Sequence, residues 1–461
     1  MTEMNKQLFL KLFLLLQLGA FAQNAPYFDT VFTDYFRRTS SGWKAGDGTI
    51  SVPLPDGRVL WLFGDSHIAA VDTNNNTLPC LFQIRNCMMV QDSLNRNYFK
   101  TIIDSIHTGV NQTPFKLVLS DTTLFWPDHG YVWNDTVYLF MGRFNNSDMG
   151  KFYGEYLVKL DYPGLHLIGM YPLHPTNGII YGRSVLIDTA ADYLYMYGNK
   201  LNWIVWEPYL ARCNVNNIYL PWEYYTGSGW STLPSQAHKI SSEVVSPGYS
   251  VVKRNGKYYL ISQQNGYLLC GQGREIYSCE SPTPYGPFTN KQVVYTEESK
   301  LNGKYLVSYN AQAHPFFTQN NELLISYNVN NGNDTATCYV QCTNVWTDRM
   351  DADSYRPKFI RVPFEKITGT QLHNFIKTEA RILPNPVIAE SLFSCELNLA
   401  GTGELTIALY DNLGRMVSQS KSLFNKGLNT LSIQAPATKG IYFLSIRNNM
   451  NENKVLKLIV Y

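Results

Sequence analysis

The sequence predicts an all-β protein, a five-bladed β-propeller followed by a small Ig-like β-sandwich, and three observations carry that expectation. Helical periodicity is almost absent, and short Tyr/Val/Ile/Leu strands alternate with Gly, Asn, Asp and Pro. One hairpin pattern recurs five times in order. Near Ile382 the texture changes to short alternating strands.

The recurring unit is an apolar strand, a tight turn and an aromatic-rich return strand that ends in a polar residue. The copies begin at Asp47, His129, Tyr181, Ser246 and Ala313. Their turns fall near Asp56, Asn134, Ala191, Asn255 and Asn320, which are 78, 57, 64 and 65 residues apart. A lone hairpin leaves a face unburied. Five hairpins, each with two further strands, suit blades around an axis over residues 23–371. Residues 372–381 read as a linker and 382–461 as a separate sandwich, with strands in LTIALYDNLGRMV, GLNTLSI, GIYFLSI and KVLKLIVY.

The first 22 residues read as a secretory signal: Lys6, an apolar run from Leu8 to Leu18 interrupted by Lys11 and Gln17, then Ala20-Phe21-Ala22 before Gln23. The run is too short and broken for a membrane span. With 38 Lys plus Arg against 36 Asp plus Glu, the chain has a net charge of +2, so nothing argues for nucleic acid as a partner. Charged residues are only 16% of the 461, while aromatics reach 14% through 32 Tyr, 23 Phe and 9 Trp, which supplies many stacking surfaces. The 32 Gly and 22 Pro lie near average and exclude collagen-like or Pro-rich disordered chains.

Eight cysteines in an exported chain invite disulfides, and their spacing fits no zinc site. Cys80 with Cys87 and Cys270 with Cys279 are close enough in sequence to staple hairpins, whereas Cys338 and Cys342 would lie about 13 Å apart on one extended strand. Asp72-Thr-Asn74-Asn-Asn76 opens like a calcium loop, but Thr77 and Gln83 stand where Gly and Glu are needed. Gly271-Gln-Gly273-Arg274 lacks the strand–helix setting of a dinucleotide site.

In a propeller the first strand of each blade lines the channel and the second returns to the same face. One rim then collects Asp47, Asp128, Arg183, Glu243 and His314 from strand starts, with Asp65, Arg143, Lys200, Gln264 and Asn328 from returning ends. In the first blade, Pro55-Asp56-Gly57 suits a three-residue hairpin loop with Gly57 left-handed. That register pairs Leu54 with Arg58 and, continued outward, places Asp47 opposite Asp65 with Cβ atoms roughly 5 Å apart. Opposed like charges destabilise a sheet, so the pair calls for a cation, a shared proton or a nearby arginine. Paired carboxylates also serve glycoside hydrolysis. The alternative role for both is turn capping.

Asp128 is a candidate for positioning the acid, or a turn former. Glu243 is a candidate acid, or a surface residue. His314 holds a hydroxyl, water or cation, or is a satisfied channel histidine. Arg183 and Arg143 clamp a carboxylate or sugar hydroxyls, or are solvated. Trp43, Tyr131, Tyr181 and Tyr249 lie near the same rim and are candidates for stacking on sugar faces, or pack the blades.

Two resemblances sharpen this reading. Leu413-Gly414-Arg415, Lys439-Gly440-Ile441-Tyr442 and Lys454-Val455-Leu456-Lys457-Leu458 closely resemble the C-terminal sorting domain of the type IX secretion system of Bacteroidetes. That resemblance implies passage through the periplasm, the type IX machinery as a partner, and an end point outside the cell or on its outer-membrane surface. The run from Gly46-Asp47-Gly48 through Trp61 to Phe63-Gly64-Asp65 resembles the first blade of secreted five-bladed propellers that are similar to propeller glycosidases. Those include endo-D-arabinanases whose two catalytic carboxylates come from this blade, and the match to those acids is at Asp47 and Asp65. Ser66-His67 departs from the Thr and aromatic expected there.

The expected function is a secreted glycoside hydrolase acting on a polysaccharide or glycan. The alternative is a non-catalytic glycan-binding or adhesive propeller. No cofactor is required, a structural cation in the channel is compatible, and the protein is expected to be monomeric.

Overall fold

The computed structural model describes residues 25–40, 42–117, 122–147, 151–265, 270–368, 376–399, 402–448 and 453–461. The signal segment 1–22 and residues 372–375 of the expected linker lie outside the described residues, while the rest of that linker belongs to the strand Ile376–Leu383. The chain divides into two compact units, Met1–Gly369 and Thr370–Tyr461.

The first unit contains five antiparallel sheets of four or five strands that follow one another along the chain. Blade 1 is Ile50–Pro53, Val59–Phe63, Cys87–Gln91 and Phe99–Ile102. Blade 2 runs Thr123–Trp133, Thr136–Asn145, Phe152–Asp161 and Leu167–Pro172. Blade 3 starts with Ile180–Asp188, Tyr193–Asn202 and Val205–Asn214, and blade 4 comprises Ser250–Arg254, Lys257–Gln263, Glu275–Ser281 and Thr289–Thr296. Blade 5 takes Val307–Gln319, Glu322–Asn330 and Lys358–Pro363 from one end of the unit and Tyr27–Phe28 from the other. The N-terminal strand, pairing Tyr27 with Arg361, therefore closes the last blade.

The turn chemistry explains why the hairpins form. Asn134-Asp135, Asn255-Gly256 and Asn320-Asn321 all have positive φ, as a type I′ turn demands. Gly57 has φ 83°, and Leu54 N–H donates to Arg58 O at 2.9 Å, closing the first hairpin around its three-residue loop.

The first strands of the blades meet in cyclic order, and five apolar cores lie between successive blades. Val52, Leu60 and Leu62 meet Val137 and Leu139 between blades 1 and 2. Phe140 and Leu157 meet Val185 and Met196 between blades 2 and 3, while Tyr197 and Leu210 meet Val251 and Leu260 between 3 and 4. Ile261 and Ile276 meet Leu323 and Ile325 between 4 and 5. Trp61 and Phe63 meet Leu324 and Phe359, which completes the circle. Each sheet is thus covered on both faces, the condition an isolated hairpin cannot meet. At the channel, Val251 N–H donates to Ser184 Oγ (3.0 Å), Ser250 Oγ donates to Gln312 Oε1 (2.7 Å) and Thr49 Oγ1 donates to Asn328 Oδ1 (2.8 Å).

The cysteine pairing expected from sequence proximity is overturned. Cys80 bonds Cys342 and Cys270 bonds Cys338, with Cα–Cα separations of 5.7 and 5.4 Å. Cys87 and Cys279 are free and buried. Both lie on strands that turn their thiols into interblade cores, whereas Cys80 and Cys270 sit in loops outside the strands.

In the second unit a sheet of Ile376–Leu383, Leu392–Leu399 and Gly427–Gln434 and a sheet of Met416–Phe424, Gly403–Asp411, Gly440–Asn448 and Asn453–Val460 form a sandwich. Phe393, Leu397, Ile407, Leu409, Leu444 and Leu458 fill its core. The alternation of Phe393, Cys395, Leu397 and Leu399 with less buried residues along Leu392–Leu399 is the pattern of a half-buried sheet.

Candidate active site

In blade 1 Ile50 lies opposite Leu62 and Pro53 opposite Val59. Beyond the blade, Gly46 lies opposite Ser66 and Ala45 opposite His67, which is the same register continued. Asp47 and Asp65 lie in the gap between these two ladders. The ladder breaks there because Gly48 and Thr49 both take positive φ (94° and 50°). For a β-branched residue such a φ is strained, and Thr49 is held there fully buried by its bond to Asn328. The kink leaves Gly64 N–H donating to Asp47 O at 2.8 Å and packs the Asp47 carboxyl against Gly64. A Cβ on Gly64 would stand 2.7 Å from Asp47 Oδ1.

Each carboxylate has its own surroundings. Asp65 is 8% exposed, and Arg85 Nη1 lies 3.1 and 3.0 Å from its two oxygens. Trp126 Nε1 donates to Asp65 Oδ1 at 3.1 Å, and Arg85 Nη2 donates to Asn146 Oδ1 at 2.6 Å. Asp47 Oδ2 accepts from Tyr309 Oη at 3.1 Å, and Tyr355 Oη donates to the main-chain oxygen of Asp65 at 3.3 Å.

Burial pushes both acids above the usual carboxylate range. For Asp47 the charge of Asp65 adds to the rise and the two tyrosine hydroxyls oppose it. For Asp65 burial is opposed by Arg85 and by the Trp126 indole. Burial and the neighbouring carboxylates hold Tyr309 and Tyr355 well above their ordinary range, so both remain neutral donors.

A second cluster lies on blades 2 and 3. Asp128 is two residues from Trp126 on the same strand and reaches the other way, pairing with Arg183 Nη1, while Arg183 Nε donates to Asn199 Oδ1 at 3.2 Å. Glu155, 3% exposed, feels the charges of both. Neither of its oxygens makes a well-formed hydrogen bond, and burial first, then Asp128, raises it well above the ordinary range.

Several residues expected on the rim lie elsewhere. His314 is fully buried, its Nδ1 2.7 Å from Ser51 Oγ and its Nε2 2.8 Å from Ser326 Oγ, and burial lowers it to about 3. The rim level of blade 5 belongs to Tyr309, opposite Asn328, and His314 is five residues further along the strand. Both of its nitrogens are engaged by serines, so it does not present a free ligand to a cation. Among the described residues no three His, Cys, Asp or Glu side chains gather as for a metal ion.

Glu243 pairs with Lys291 Nζ at 3.1 Å on the outermost strand of blade 4, away from the channel strand. Trp43 is fully buried against Phe36 and Phe63. Tyr131 stacks on Tyr138 near the turn end of blade 2, at 4.8 Å, and Tyr181 is fully buried against Trp222 and Tyr224. Tyr249 is also buried, its hydroxyl donating to Gly198 O. Arg143 lies over the Phe125 and Tyr156 rings, its Nε donating to Thr123 Oγ1 at 2.8 Å. These aromatics pack blades because their rings point between sheets.

Arg85, Trp126, Tyr309, Tyr355 and Glu155 complete the surroundings of the acids without having been singled out in the sequence. Trp126 adjoins Pro127 and Asp128 on the strand Thr123–Trp133, next to a residue that the sequence does single out. Tyr355 comes from the irregular segment after blade 5's second strand and carries no periodic signal.

Fold and site together define a five-bladed propeller in which Asp65, held by Arg85, and the half-buried Asp47 lie at the edge of the first blade. Residues 29–375 match the family described as a domain of unknown function (DUF5005), and the chain belongs to that family. Residues 381–461 match the secretion system C-terminal sorting domain, which directs the protein by type IX secretion to the cell surface or the extracellular space.

Among solved structures, a candidate hydrolase from Bacteroides ovatus is 24% identical, with a TM-score of 0.58 over 74% of this chain and 92% of that one. A thermostable family-43 glycoside hydrolase is 14% identical (TM-score 0.38; 70% and 90% covered). An α-L-arabinanase of Cellvibrio cellulosa is 11% identical (TM-score 0.40; 69% and 91% covered). For the Bacteroides ovatus structure, at 24% identity, the likeness is one of fold. Among curated proteins nothing matches the chain.

Proposed function

We propose that the protein is a secreted glycoside hydrolase acting on a polysaccharide or glycan, with Asp47 and Asp65 as its acid/base pair. The observation that supports this most is the contrast between two neighbouring carboxyls: Asp65, buried, is held by a guanidinium and an indole N–H, and Asp47, half-buried, by the Tyr309 phenol. Environments that separate two titrations assign an acid and a base. Arg85 favours the carboxylate of Asp65, so Asp65 is the base or nucleophile. Asp47, raised by burial and by the charge of Asp65, keeps its proton near neutrality and delivers it to the departing glycosidic oxygen.

Asp128, Arg183 and Glu155 form a second polar wall that orients sugar hydroxyls. In this reading the working unit is 23–371, preceded by an export signal at 1–22 and joined through 372–381 to the sorting domain at 382–461. The test is release of reducing ends by the full mature chain from arabinan, arabinogalactan, xylan and host-type glycans. Release from one class supports the proposal. Saturable binding without release from any would move the function to a glycan-binding propeller.

A further inference from the structure

The second and third strands of blade 3 are joined by a hairpin that carries a side chain out of place for folding. Asn202 pairs with Val205, so Trp203 and Ile204 are the two turn residues. Trp203 alone of the two has positive φ, 60°, the pattern of a type II′ turn, whose first central position is where glycine is at home. The Trp203 indole is 90% exposed, with Ile204 at 69% and Leu201 at 49%. A bulky residue in a strained backbone position, burying almost nothing, contributes little to stability. Its use lies in what it meets.

The hairpin stands on the face of the acid pair. The strand Tyr193–Asn202 rises from its turn to Asn199, which accepts from the Arg183 that holds Asp128, and Trp203 lies four residues beyond. Between the hairpin and the acids runs a line of rings. Trp126, whose indole N–H donates to Asp65, has its ring centroid 5.0 Å from that of Phe144, and Phe144 is 5.4 Å from Phe152. Ile180 and Trp206 belong to the same cluster, and Trp126, Phe152 and Trp206 are each only partly buried. Trp206 is three residues from Trp203. The carbonyl of Ile204 accepts from Asn265 Nδ2 at 2.9 Å, which ties the hairpin to blade 4.

We infer that this aromatic line is an extended binding track. It takes the backbone of a linear polysaccharide from Asp65 across blade 2 to Trp203, and the site therefore selects polymer over short oligosaccharide. Sugar rings present apolar C–H faces that aromatic rings cover, while their hydroxyls stay in water, and the partly exposed rings of Trp126, Phe152 and Trp206 with the exposed Trp203 offer such surfaces. The inference rests on the glycan reading above and adds to it the length and course of the substrate.

The test uses the full mature chain carrying Asp47→Asn, so that a bound polymer is not consumed, with and without Trp203→Gly. Glycine suits the φ of 60°, so this variant removes the ring while relieving the backbone, and its Tm should not fall. Affinity for arabinan, arabinogalactan and xylan, and for the matching trisaccharides, is measured by titration. The expected result is that the polymer bound by the Asp47→Asn chain is bound about tenfold more weakly after Trp203→Gly, with a much smaller change for its trisaccharide. Equal polymer affinity with and without the indole overturns the track and leaves the acid pair untouched. Failure of the Asp47→Asn chain to bind any polymer overturns the glycan reading together with the track.

Discussion

Tyr309 Oη lies 3.1 Å from Asp47 Oδ2, so a phenol from the fifth blade donates to a carboxyl at the edge of the first. This bond stabilises the carboxylate form of Asp47. Removing it with Tyr309→Phe raises Asp47 further, by about one pH unit for a hydrogen bond to a charged group. With Asp47 as the proton donor, the alkaline limb of the kcat/KM profile moves to higher pH in that variant. A downward or absent shift would count against Asp47 as the donor.

Burial of Asp47 also links stability to pH. Its folded-state pKa lies above the unfolded value, so its contribution is fully present below the unfolded pKa and is lost as pH rises through the folded one. Asp47→Asn, which carries no charge to bury, should therefore be more stable than the wild type at pH 8, by about 1–2 kcal/mol, and the difference should shrink towards pH 4. Thermal melts at the two pH values check this, and a larger difference at pH 4 would reverse the sign of the argument.

Gly64 matters for its missing side chain. A Cβ there would stand 2.7 Å from Asp47 Oδ1, so Gly64→Ala displaces the carboxyl while the blade's strands keep their pairing. Turnover should fall at least about tenfold, as expected when a reacting group is moved by a fraction of an ångström, with circular dichroism unchanged. Wild-type turnover in this variant would show that the carboxyl's position is not critical.

The two disulfides hold the segment that delivers Tyr355. Cys80–Cys342 and Cys270–Cys338 tie residues 338 and 342 to loops after the second strands of blades 1 and 4, with sequence separations of 262 and 68. Cys342→Ser paired with Cys80→Ser should cost about 2–4 kcal/mol. It should also raise Asp47 as the Tyr355 contact loosens, read as an upward shift of the alkaline limb. The buried thiols of Cys87, Cys213, Cys279 and Cys395 should remain unalkylated in the folded protein.

What was legible in the sequence follows from range. The first hairpin was readable because Pro55-Asp56-Gly57 sets its loop locally, and one loop sets the register of every residue up to Asp47 and Asp65. The same logic failed in blade 5, where the register shifts between Tyr309 and Gln312 on a strand extending to Gln319. Taking the start of the Ala313 repeat as the rim reaches His314, which pairs with Ser51 and Ser326. Trp43, Tyr131 and Tyr181 were misplaced for a related reason: strand position gives the height of a ring but not the space between sheets into which it turns. Arg85 and Tyr355 approach the acids from irregular segments, and the cysteine partners are distant in sequence. Neither relationship leaves a periodic trace.

The most direct test of the account is to compare Asp47→Asn, Asp65→Asn and the double variant in the release of reducing ends from the polysaccharide the wild type cleaves. Two groups that act as one unit give non-additive losses. The account predicts that each single change lowers turnover by a factor of about 100 or more, that the double change falls to the same floor, and that polymer binding survives in all three. Wild-type turnover in both single variants would contradict it.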